Sequence, residues 1–270
     1  MPEGRLADRI LRHDRQIGAA ALVLAVLAAA AFILAGGGTG MSAIDMSART
    51  GPAGALIAGT PDLVAPMRWT AGYALVILVM WWLMMVAMMV PSAAPTILLY
   101  AALNRSRGSL LSFAIGYLAV WAGFAAMATA GQGALAAFGL ISPMFMTLAT
   151  PWLGAGILVG AGLYQLTPLK AACLAHCRGP VAALARHRRT GRAAAFRMGL
   201  VHGSFCLGCC WALMALLFVG GIMNIWWILG VALYVAIEKL APGGHRLARP
   251  FGAILILAGL AVLGRALYGG

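Results

Sequence analysis

Seven long apolar runs organise the chain, at residues 17–36, 72–90, 109–130, 151–169, 199–220, 224–240 and 250–267. Each approaches the ~20 apolar residues that an α-helix needs to cross hydrocarbon. A span has no water to satisfy its backbone, so it must be helical. The pattern therefore predicts an all-α fold, a polytopic membrane helix bundle of about seven transmembrane helices that forms a single domain over residues 1–270. The sixth run is the shortest. The first is longer than a signal-peptide core and no small-residue cleavage site follows it, so it is expected to be retained.

The connections divide into two kinds. Residues 1–16 alternate charged and apolar positions, which suits a short amphipathic or simply basic segment on the cytoplasmic side. Residues 37–71 are rich in Gly, Ser, Thr and Pro and read as a loosely structured outer loop, whereas 170–198 reads as a basic cytoplasmic loop. Composition agrees with a bilayer setting: 63% of residues are hydrophobic and 9% are charged. A net charge of +13 would ordinarily suggest nucleic acid, but its distribution removes that partner. Sixteen of the nineteen Lys and Arg residues fall on one side of the seven-helix arrangement, the exceptions being Arg49, Arg68 and Arg265. The positive-inside rule then puts the N-terminus in and the C-terminus out, in a bacterial inner membrane, with the basic side facing anionic lipid heads.

Within the apolar runs lies an unusual set of sulfur and imidazole groups. In the fifth run His202, Cys206, Cys209 and Cys210 return to one helical face, and Met214 extends the line by a turn. In the second run Met80, Met84 and Met88 share one face, Met85 and Met89 share the next, and Pro91 and Pro95 follow, where a helix loses donors and bends. At the inner end of the fourth run Cys173, His176 and Cys177 fit one turn, with Lys170 and Arg178 beside them. Gly156 and Gly160 in the same run have the spacing that permits close helix approach. Buried Cys and Met also serve as plain packing. Thiolate, imidazole and thioether together, however, are the donors of soft and borderline metals.

All five Cys lie in the reducing cytoplasmic half, while the outer side offers Met41, Met46, Met67, Met144, Met146 and Met223. That gradient favours Cu(I), with zinc or another metal as the alternative. If the second and fifth helices touch, two or three Cys and one or two Met lie level in the inner half of the bilayer and can close on one ion.

Three stretches resemble, in order and spacing, a bacterial family of predicted metal-binding integral membrane proteins without an assigned reaction or metal. They are the Met-Met-Val-Ala-Met-Met-Val-Pro-Ser run of 84–92, the Leu-Lys-x-x-Cys-x-x-x-Cys-Arg-x-Pro run within 164–180, and the Gly-x-x-x-Gly-x-x-Cys-x-Gly-Cys-Cys-Trp-Ala-Leu-Met run of 199–214. The resemblance implies an inner-membrane location and a metal site. It carries over Met84, Met85, Met88, Met89, Cys173, Cys177, Cys206, Cys209 and Cys210, with His202 on one of the motif's variable positions.

The leading expectation is a Cu(I)-binding membrane protein for transport, delivery or sensing, for which a metal-delivery protein is the fitting partner. A thiol-disulfide or electron relay through Cys209 and Cys210, or Cys173 and Cys177, is the alternative, and a structural or assembly role is third. No Gly-x-x-x-x-Gly-Lys-Ser/Thr motif is present, which argues against ATP-driven pumping by this chain alone. No residue set marks a catalytic reaction. The last two helices read as mostly structural, with Trp226 and Trp227 as interface anchors. Glu238 is expected to pair with a nearby basic residue rather than to relay protons.

Overall fold

The computed structural model describes residues 3–39, 42–52, 69–104, 108–142, 146–179 and 191–268, without the side chains of 3–15, 49 and 50. Its helices are α1 (Glu3–Leu34), α2 (Ala43–Thr50), α3 (Ala71–Leu103), α4 (Ser109–Ala137), α5 (Pro151–Gln165), α6 (Pro168–Arg178), α7 (Arg192–Ala215), α8 (Leu217–Gly220), α9 (Ile225–Leu240) and α10 (Ala248–Tyr268), with a 3-10 turn at Gly244–Leu247. All seven predicted runs are helical. Among the described residues five helical stretches are long and apolar enough to cross a membrane: Gln16–Leu34, Ala71–Leu103, Ser109–Ala137, Arg192–Gly220 and Gly244–Tyr268. The pair α5 and α6 makes a sixth if it is one span bent by 64°. The sixth predicted run is α9, 16 residues long, or about 24 Å at 1.5 Å per residue.

Three boundaries depart from the sequence pattern. First, α3 does not end near residue 90 but continues through Pro91 and Pro95 to Leu103. Each proline removes one backbone donor, and hydroxyl groups gather at this turn: Ser92 and Tyr117 both donate to the Met89 carbonyl, at 2.9 and 3.3 Å. Second, the predicted basic loop from residue 170 begins as a helix. Thr167 caps α6 by accepting from the Lys170 amide, and Pro168 occupies its first turn, where the missing N–H costs nothing. Residues 180–190 of that loop, with Arg186, Arg188 and Arg189, lie outside the described residues. Third, the predicted outer loop contains α2, capped by Ser42. It is docked on the start of α9, since the Ile225 amide donates to Ser47 Oγ at 2.8 Å and Asn224 Nδ2 donates to the Gly51 carbonyl at 3.0 Å. Met41, Met67, Arg68, Arg105, Arg107 and Met144 also lie outside the described residues.

Small residues set the two closest helix crossings. α4 meets α7 backbone to backbone: a Cβ on Gly199 would stand 2.1 Å from the Phe113 carbonyl oxygen, and one on Gly116 would stand 2.2 Å from that of Phe196. α5 meets α10 at Gly162 and Gly252 in the same way. The Gly156 and Gly160 pair is not the contact, because both positions face open space. α3 packs against α4 and α1, and α6 lies along the middle of α7.

Candidate metal centre

The four groups of the α7 stripe, His202, Cys206, Cys209 and Cys210, are all buried. Cys206 is their hub. Its sulfur lies 3.0 Å from the Tyr117 hydroxyl of α4 and accepts from Lys239 Nζ of α9 at 2.9 Å. Its carbonyl accepts from the thiols of Cys209 and Cys210, at 3.1 and 2.9 Å. The 64° bend before α6 turns the buried Cys177 toward this stripe, close enough to interact electrostatically with Cys206 and Cys209.

The remaining motif residues of α6 line the same seam. Cys173 rests on Gly208, whose missing side chain makes room: a Cβ there would stand 2.9 Å from the Cys173 sulfur. Tyr164 donates to the Gly208 carbonyl from the end of α5. His176 is stacked on Phe205, with ring centroids 3.7 Å apart. His202 sits between the rings of Phe113 and Tyr117, each 5.9 Å away.

On α3, Met84, Met85, Met88 and Met89 are all buried. Met89 is the one the structure brings to a thiol, with its sulfur 3.9 Å from that of Cys210. Met84 and Met88 occupy the neighbouring face of α3, since consecutive residues turn by about 100°. α3 and α7 thus meet at Met89 and Cys210, with Tyr117 reaching both helices through the Met89 carbonyl and the Cys206 sulfur. At the far end of α3, Met80 and Met223 meet over Gly37.

Two contributors were not legible in the sequence as site residues. Lys239 counts there only as one more inner-side cation, and Tyr117 as one aromatic among many. Of the last two helices α9 is accordingly more than structural, because its final turn carries two ionic side chains into the bundle. Glu238 pairs with Lys170, as expected of a buried carboxylate near a base. Lys170 also donates to Gln165, and Tyr234 donates to the same Glu238 oxygen at 3.3 Å. A buried charge without a partner is costly. In a chain with two lysines, both being buried, one on a carboxylate and one on a sulfur, marks Cys206 as a place where negative charge is accommodated.

Among the described residues no group of three or more His, Cys, Asp and Glu side chains is arranged to hold a metal ion. The thiol geometry explains this: Cys209 and Cys210 both turn back to the Cys206 carbonyl of their own helix. The donor set itself, thiols with a thioether, suits a soft monovalent ion, and a pair of sulfurs is enough to hold Cu(I).

Fold and site together define a class: an all-helical protein with several apolar spans and a sulfur-rich buried centre. Within that class the chain belongs to the PpoB2 family of copper chaperones, whose model matches residues 78–262. The matched span takes in all three motif stretches. No curated protein and no solved structure matches the chain.

Proposed function

We propose that the protein is a membrane-embedded Cu(I) carrier that takes the ion on Cys206 with Cys177 and passes it on to a partner, with Cys209, Cys210 and Met89 as adjoining sulfur donors. The single observation that carries this reading is the Cys206 sulfur, buried and held by the buried Lys239 at 2.9 Å. Charge balance supplies the reason. One Cu(I) on two thiolates leaves one negative charge, which is costly in a low-dielectric interior unless countered. Lys239 supplies that counter-charge on the sulfur itself, so the loaded centre is neutral as a whole. Delivery is favoured over pumping because the chain lacks a phosphate-binding motif.

Copper-edge X-ray absorption of the Cu(I)-loaded full chain tests the proposal. The expected first shell contains sulfur alone, and a nitrogen or oxygen shell would contradict it. Met89→Leu should leave the protein folded, a swap of similar volume costing under about 1.5 kcal/mol. It should weaken Cu(I) binding less than loss of a thiolate does. Binding indistinguishable from wild type would reduce Met89 to packing.

The membrane arrangement belongs to the same proposal: seven crossings by α1, α3, α4, the α5 and α6 pair, α7, α9 and α10, N-terminus in, in a bacterial inner membrane. It is supported by the charge asymmetry of the sequence. A reporter fused after Gly270 should be active only in the periplasm and one inserted within 180–190 only in the cytoplasm. The reverse at either site would overturn the arrangement.

A further inference from the structure

A cavity of about 970 Å³ lies at the bend between α5 and α6, facing the corner where α9 turns into α10. Its polar lining is Gln165, Thr167, Lys170, Arg178, His245, Arg246 and Arg249, and among the described residues no carboxylate lines it. The positive charge of Lys170 is cancelled by Glu238 behind it. Arg178 is committed to the backbone, donating to the Glu238 and Ala241 carbonyls and so fixing the end of α9. Arg246 and Arg249 are exposed, and no acidic side chain shares the lining with them. The result is a concave, net-positive chamber of the size that holds a drug-sized ligand rather than a single ion.

The rim decides what kind of anion fits. Leu166, in the lining, is 48% exposed, and Leu169 and Leu247, the chain neighbours of the lining residues Lys170 and Arg246, are 62 and 40% exposed, an apolar fringe that a free anion has no use for. Basic pockets between helices on the cytoplasmic side are where anionic headgroups bind. We infer that this cavity is a binding site for an anionic phospholipid, Arg246 and Arg249 taking the phosphate and the leucines the acyl chains. The inference rests on the membrane reading and is independent of copper.

The test uses the full chain in mild detergent, with retained lipid measured by native mass spectrometry. Dioleoylphosphatidylglycerol should bind the wild type and dioleoylphosphatidylcholine should not. R246Q/R249Q should weaken phosphatidylglycerol binding roughly 30-fold, the effect of two basic residues near a headgroup, and leave copper content unchanged. R197Q/R265Q, which removes equal charge outside the cavity lining, should bind phosphatidylglycerol as wild type does. Undiminished binding by R246Q/R249Q, equal loss in R197Q/R265Q, or displacement of the lipid by millimolar inorganic phosphate would each overturn the proposal. Phosphatidylglycerol retained by a wild-type protein that binds no Cu(I) would count against the copper reading alone.

Discussion

Gly199→Leu should keep the chain from assembling. The side chain would have to enter the contact where α7 and α4 touch, and its first carbon would already stand 2.1 Å from the Phe113 carbonyl oxygen. Backbone cannot swing aside as a side chain can, so the cost should exceed the ~1–3 kcal/mol of ordinary overpacking. At roughly 2–4 °C per kcal/mol for a chain of this size, melting should fall by ~10 °C or more, or the protein should be recovered only as aggregate. Gly116→Leu should behave alike, since its Cβ would stand 2.2 Å from the Phe196 carbonyl oxygen. Gly123→Leu on the same α4, where a Cβ meets nothing within 4 Å, should melt close to wild type. Size-exclusion profiles and melting curves in one detergent separate these cases. A Gly199→Leu protein as stable as Gly123→Leu would refute the backbone contact and with it the positioning of Tyr117 against Cys206.

The helices were legible because a bilayer imposes one rule on every span, an apolar run near 20 residues, and that rule is written locally. What sequence spacing cannot carry is how a helix turns relative to the others. Cys173, His176 and Cys177 form one helical turn in either account, yet only the bend at Leu166 and Thr167 brings Cys177 to Cys206, and Pro168 alone does not reveal its direction. The choice among methionines failed to emerge for a similar reason. Two stripes side by side on α3 are equivalent until a partner helix selects one, and the contact at 3.9 Å selects Met89. Lys239 was hidden most thoroughly. A lysine at the last turn of an apolar helix ordinarily snorkels to the interface, and burial against a thiol depends on where α7 lies. The signal available was the Glu238 and Lys239 pair itself, two charges at the end of a helix in a chain with six acidic residues in all.

Lys239 is therefore where the account is most exposed to test. Lys239→Met removes the charge and keeps an apolar chain of comparable length, and a neutral Cys206 thiol is an acceptable core group, so the protein should fold. Cu(I) on two thiolates would then be left with an uncompensated negative charge in the bundle. Affinity should drop by about 10–100-fold, the range seen when groups supporting a metal's ligands are removed. Lys239→Arg, which restores the charge, should recover part of the loss, whereas a purely structural role for Lys239 would alter melting and leave affinity alone. Cys206→Ser removes a ligand outright and should exceed the upper end of that range.

The most direct measurement is competition for Cu(I) between a chromophoric Cu(I) chelator and the detergent-solubilised full chain under reducing conditions. The order of affinity expected is wild type, then Lys239→Arg, then Lys239→Met, with Cys206→Ser the weakest. Wild-type affinity in both Lys239→Met and Cys206→Ser would contradict a copper centre built on the Cys206 sulfur.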